Sequence, residues 1–105
     1  MNWSAEFIFI KDLIKAHEYK RAQEKIEKCS DEIRHLKTAA NRNKVDVINT
    51  SIIVIRKEIS GIDLLIKEMQ LKHSIELLGF EDALNIFKDE FLRLKSEKRK
   101  ISNHR

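Results

Sequence analysis

The sequence predicts an all-α protein: a long antiparallel helical hairpin, similar to a coiled coil, followed by a short third helix. Three observations support this fold class. The 105 residues contain no proline and only two glycines, so the residues that break helices are nearly absent. Apolar residues recur at alternating spacings of three and four over long stretches, as they do on one helix face. Charged residues make up 36% of the chain, which is typical of long amphipathic helices.

The first helix is predicted over about residues 4–40. It begins near Ser4, a good N-cap residue, with Glu6 in the first turn, where a carboxylate favours the positive end of the helix dipole. A narrow stripe with heptad spacing follows, formed by Ala22, Ile26, Cys29, Ile33, Leu36 and Ala40. A second stripe in another phase is formed by Trp3, Phe7, Ile10, Ile14 and His17. A phase shift around residues 17–19 joins the two stripes and would alter the supercoil.

The first turn is predicted at residues 41–43, because asparagine tolerates the left-handed conformation that ends helices. One unbroken helix is the alternative, since Ala40, Lys44 and Ile48 remain four residues apart. The second helix is predicted over about residues 44–78. Its stripe is formed by Ile48, Ile52, Ile55, Ile59, Ile62, Ile66 and Met69, and Gly61 is expected inside the helix.

The second boundary is predicted at Gly79, because glycine suits the position just beyond a helix C-terminus. The third helix then covers about residues 80–97, with Leu84, Phe87, Phe91 and Leu94 on its apolar face. Residues 1–92 are predicted to form one helical domain. Residues 93–105 form a basic tail with six basic residues and one acidic residue, and fraying is expected at its end.

A turn centred on Arg42 places residue i opposite residue 84−i, so that Cys29 faces Ile55 in the predicted hairpin. The aromatic residues of the first and third helices would meet at one end. The second helix also carries apolar residues that its partner helix is too narrow to cover: Val45, Val47, Ile53, Val54, Leu64 and Leu65. We therefore expect a homodimer that forms a helical bundle, since twofold symmetry is the commonest kind of oligomer.

No catalytic motif stands out in the chain. Glu32 and His35 have the spacing of a di-iron ligand pair, but such sites need a second motif of this kind, which the sequence lacks. Cys29 lies on the apolar stripe and is expected to be a small buried hydrophobe. Two isolated glycines exclude a glycine-rich phosphate loop. We expect no enzyme, no cofactor and no metal.

The sequence favours a non-enzymatic helical interaction protein, a small adaptor, regulator or inhibitor that binds another protein and itself. The candidate self-association and partner residues are Ile53, Val54, Leu65, Trp3, Phe7 and Phe9. The alternative is a nucleic-acid-binding helical protein that uses its basic tail, through Lys95, Lys98, Arg99, Lys100 and Arg105. Apolar runs are too short to span a membrane and no signal peptide is evident, so a cytoplasmic location is expected.

Overall fold

The computed structural model describes residues 1–40, 45–72 and 74–102, and it describes side chains for residues 1–36, 46–72 and 74–97. Four helices follow one another: α1 (Trp3–Lys15), α2 (Tyr19–Ala40), α3 (Val45–Met69) and α4 (Ile75–Ser102). No strand occurs in the described ranges, so the all-α class is confirmed. The helices form an elongated, bundle-like body with extents of 49 × 19 × 19 Å. The predicted turn at residues 41–43 lies outside the described residues.

The predicted first helix is in fact two helices, because the chain turns back at residues 16–18. His17 takes a positive φ of 60°, a conformation that an α-helix cannot contain. Its ring Nδ1 lies 2.6 Å from the hydroxyl of Tyr19, which is the first residue of α2. Near the start of α2, the Lys25 ammonium lies 3.9 Å from the Glu6 carboxylate of α1. The phase shift in the apolar stripes therefore marks a chain reversal, and the predicted change of supercoil is wrong.

The predicted boundary at Gly79 is also wrong. The structure ends α3 at Met69, and Gln70 takes the left-handed conformation with a φ of 48°. Ser74 then caps α4, because its Oγ accepts a hydrogen bond of 3.1 Å from the backbone N–H of Leu77. Gly79 lies inside α4. A residue other than glycine thus ends the helix, and no local sequence signal marks Gln70 for this role.

α2 packs chiefly along α4, and these two helices run in the same direction. Near the start of both helices, the side chain of Gln23 lies against Gly79. Farther along, the Arg34 guanidinium lies 3.7 Å from a carboxylate oxygen of Glu90. Both pairs are offset by the same 56 positions in the sequence, which fixes the parallel register.

α3 runs against α4 and alongside α1. The Lys88 ammonium donates to Asp63 at 2.9 Å, while Ile59, nearer the start of α3, lines a hollow with Phe91, nearer the end of α4. On its other side α3 packs against α1, where the Lys11 ammonium of α1 lies 3.2 Å from a carboxylate oxygen of the buried Glu58 of α3. By contrast, α2 has only slight contact with α3. The hairpin predicted between these segments is therefore not the principal packing of the structure.

The buried apolar side chains form one cluster that all four helices share. Its fully buried large members are Phe7, Phe80, Phe87, Ile10, Ile14, Ile26, Ile33, Ile48, Ile55, Ile62, Leu77 and Leu94. The aromatic rings of α1 and α4 meet within it: the centroid of Phe87 lies 5.5 Å from that of Phe7 and 6.2 Å from that of Trp3. Aromatic pairs at such distances stabilise a fold by more than the burial of their surface alone.

The position of Gly79 inside α4 leads to a test by the substitution Gly79→Ala. Alanine is favoured over glycine in a helix interior by about 1 kcal/mol. The new Cβ would meet the side-chain oxygen of Gln23 at 2.7 Å, but this is the end of a flexible side chain that can move aside. We expect urea unfolding followed by circular dichroism to show a gain in the free energy of unfolding.

The matched control for that substitution is Gly61→Ala in α3. There the added Cβ would meet the Lys11 ammonium at 2.8 Å, and this ammonium is held by Glu58, so we expect a smaller gain. A loss of stability on Gly79→Ala would contradict the structure, because such a loss is expected where glycine occupies the left-handed position that ends a helix.

Candidate interaction surfaces

The three α3 residues predicted to mediate self-association do not share one exposed face. Ile53 is 69% exposed, whereas Val54 and Leu65 are half-buried and pack against the core. Val54 lines a hollow together with residues 1–4, so the start of α1 lies over this side of α3. The sequence predicted that the apolar residues of α3 need more burial than one partner helix provides. In the structure, α1 of the same chain buries part of this apolar surface.

The three α1 aromatics predicted to meet a partner lie in different environments. Trp3 and Phe7 are buried in the core and present no surface to a partner in this structure. Phe9 is 40% exposed, and the Lys25 ammonium lies 5.1 Å from its ring centroid, within the range of a cation–π contact. Among these three aromatics, Phe9 alone is open to a partner.

An apolar hollow of about 300 Å³ lies between α3 and α4. Ile59, Phe91 and Leu92 supply its apolar walls, and Leu92 is 59% exposed. Arg56 flanks the hollow, and the exposed Ile53 lies one helical turn before Arg56 on α3. Sequence reasoning overlooked Leu92, although its position outside the apolar stripe of α4 was a usable signal.

A second hollow of about 470 Å³ lies between α2 and α4, and both polar and apolar residues form its walls. Glu27, Asp31 and Asp82 outnumber Arg34, the basic residue that lines the hollow and lies 2.6 Å from Asp31, so the hollow has a net acidic character. Ser30 is buried beside them, and its hydroxyl donates to the backbone carbonyl of Ile26 at 3.2 Å. The acidic side chains make this hollow unsuited to an anionic ligand.

A buried carboxylate links α2 to α4. The Glu90 side chain is only 6% exposed, and its Oε1 lies 2.9 Å from Arg93 and 3.7 Å from Arg34. Arg34 also contacts Asp31 on its own helix at 2.6 Å. A buried carboxylate requires such partners, because an uncompensated charge in the protein interior is costly. This cluster therefore helps to fix α2 against α4.

The residues predicted to contact nucleic acid lie mostly on a helix and not on a frayed tail. α4 extends to Ser102, so the backbone of residues 98–100 is helical, while their side chains lie outside the described residues. Lys95 is half-buried, and its ammonium lies 5.7 Å from the ring centroid of Phe91. Arg105 lies outside the described residues.

Cys29 is fully buried between the helices, as expected. Burial raises the pKa of its thiol to about 12, and the negative charge of Glu6 adds to the rise. Such a thiol stays protonated at neutral pH and is a poor nucleophile. Glu32 is half-buried and His35 is exposed. Among the described side chains, His, Cys, Asp and Glu do not gather in groups of three that would suit a metal ion.

Comparison of the chain with protein-family models, with curated proteins and with solved structures finds no match. Within the described residues, no helix combines the length and the apolar character needed to cross a bilayer.

The position of the buried carboxylate leads to a test by the substitution Glu90→Ala. We expect the free energy of unfolding to fall by about 1–3 kcal/mol, because Arg34 and Arg93 lose a charged hydrogen-bond acceptor. Both arginines are partly exposed, so water limits the loss. Chemical denaturation measures the change, with Asp89→Ala as the control, since Asp89 is exposed. Equal effects of the two substitutions would contradict this role of Glu90.

Proposed function

We propose that this chain acts by binding another protein and itself, as a small adaptor, regulator or inhibitor without enzymatic activity. The apolar hollow between α3 and α4 carries the proposal. Its rim includes the exposed Leu92, and the exposed Ile53 extends the same side of the molecule. Contiguous exposed apolar surface of this kind marks interaction sites in water-soluble folds.

The α3–α4 face, which we define by Ile53, Ile59, Phe91 and Leu92, suits a second copy of the chain. Burial of a large aliphatic side chain stabilises a contact by about 1.5–3 kcal/mol relative to full exposure. α3 has 25 residues, and the body is 19 Å wide, so this side offers roughly 700 Å². A stable interface typically buries about 800 Å² on each partner. A homodimer formed through this face is therefore of a plausible size.

A different protein partner would use the surface around Phe9. Aromatic residues dominate the energetics of many interfaces, and this ring is the exposed member of the α1 aromatics. The Lys25 ammonium above the ring also lies 3.9 Å from the Glu6 carboxylate, so the two charges beside the ring offset each other. An apolar side chain of the partner is the complementary group for this ring.

Sedimentation equilibrium at micromolar concentrations tests self-association through the α3–α4 face. We expect a dimer for the unmodified chain and a monomer for the double variant Ile53→Lys/Leu92→Lys, because two buried ammonium groups would oppose the contact. The matched control is Ile75→Lys/Leu78→Lys, which alters two exposed apolar residues at the start of α4. This control should remain a dimer.

Two results would contradict this proposal. One is a monomer mass for the unmodified chain over the whole concentration range. The other is an equal loss of the dimer in both double variants, which would show that the effect comes from added charge and not from the α3–α4 face.

A further inference from the structure

The fold brings three separate segments of the sequence, all with more basic than acidic residues, to one side of the middle of the bundle. α2 and α4 run in the same direction and α3 runs against α4, so the end of α2, the start of α3 and the end of α4 lie together. We call this region the basic end and define it as residues 34–40, 45–57 and 93–102; Arg56 and Lys57 lie at its inner limit, in the middle of α3. Sequence reasoning found only the last of these three segments.

The charge of the molecule is strongly divided between this end and the rest. The basic end contains two acidic residues, Asp46 and Glu97, and nine basic residues, for a net charge of +7. The basic residues are Arg34, Lys37, Arg56, Lys57, Arg93, Lys95, Lys98, Arg99 and Lys100. Residues 1–33 and 58–92 contain nine basic and 15 acidic residues, for a net charge of −6. A polyanion is therefore attracted to one end of the molecule and repelled by the remainder.

Not all of this positive charge is equally available. Arg34 and Arg93 lie beside the buried Glu90, which offsets part of their charge. Arg56 and Lys57 are exposed on α3. Most of the excess charge thus comes from these two residues and from residues 95–100 of α4.

We propose that the basic end binds the phosphate backbone of duplex nucleic acid without reading the base sequence. Duplex DNA carries one negative charge for each ~1.7 Å of its axis, and lysine and arginine bind it by releasing condensed counterions. Residues 93–102 of α4 form a helical stretch about 15 Å long that holds five of the nine basic residues. This stretch therefore concentrates basic residues over a length that matches several phosphate charges of a duplex.

Anionic membranes and single strands fit this surface less well. A helix that lies on a membrane needs an apolar face, yet residues 93–102 contain only Leu94 and Ile101 as large apolar residues, and Leu94 is fully buried. Proteins that bind single strands stack bases on exposed aromatic rings. The nearest aromatic residue of α4, Phe91, is buried. The chemistry of the basic end therefore favours duplex backbone over both alternatives.

Fluorescence anisotropy with a labelled duplex of about 24 base pairs tests the proposal. Because Arg56 also lines the hollow of the α3–α4 face, sedimentation of each variant separates a loss of duplex binding from a change in self-association. We expect binding of the full chain at low salt that is equal for unrelated base sequences. With about four phosphate contacts, the affinity should fall roughly 100-fold between about 50 and 200 mM salt. Deleting residues 93–105 would remove the basic tail, but it would also remove the buried Leu94 from the core. Charge reversal is therefore the better test.

Two matched pairs of charge reversals distinguish an effect of the basic end from an effect of net charge. The variant Arg56→Glu/Lys57→Glu should weaken binding at least tenfold and lower the slope of log affinity against log salt by about 2. The control Lys67→Glu/Lys72→Glu changes net charge equally, and its exposed lysines lie at the other end of α3 and just beyond it. It should bind nearly as well as the unmodified chain. Circular dichroism checks that both variants stay helical.

Four results would overturn the proposal. The first is no duplex binding at low salt. The second is an equal effect of the two variants, which would indicate an unspecific response to charge. The third is tighter binding to vesicles rich in anionic lipid, or to an acidic polypeptide such as polyglutamate, than to the duplex. A reversal at Lys98, Arg99 and Lys100 that abolishes binding while Arg56→Glu/Lys57→Glu has no effect would limit the site to α4 and contradict the composite surface.

Discussion

The reversal of the chain at residues 16–18 decides how the other helices pack. If residues 4–40 formed one rod, the first part of that rod could reach only the end of α3 and the region that follows it. Because His17 takes a left-handed conformation, α1 folds back and covers one side of α3. α2 then lies free of α3 over most of its length and packs along α4 instead. The bundle is therefore a consequence of one local change of direction.

This arrangement also decides which surfaces remain open. α1 lies over the side of α3 that carries Val54, so the apolar surface available for association shifts toward the hollow beside Leu92. The parallel register of α2 and α4 places Arg34 and Arg93 around one buried carboxylate. The same register brings the basic end together from segments that are far apart in sequence. The apolar face and the basic end are thus two products of one packing scheme.

The helix content and the buried faces could be predicted from the sequence, because apolar spacing reports directly which side of a helix is buried. Ile26, Ile33 and Ile55 were all predicted on apolar stripes, and all three are fully buried. The helix ends could not be predicted as well. His17 and Gln70 adopt positive φ without being glycine, and this costs each about 1–2 kcal/mol that only tertiary packing can offset. Apolar spacing also does not say which other helix covers an apolar stripe. The stripe of α2 could be aligned with that of α3 in the sequence, but in the structure α2 packs along α4.

The fold-back of α1 is tested most directly by a distance between nitroxide labels at positions 4 and 50, in a chain that also carries Cys29→Ala. Ser4 and Thr50 line the same hollow, and neighbouring helix axes lie about 8–10 Å apart, so the structure predicts a short distance between the labels of about 10–20 Å. An unbroken hairpin would separate these positions by thirty residues along one helix, or about 45 Å. A single population at the longer distance would contradict the fold-back, and with it the surfaces that depend on it.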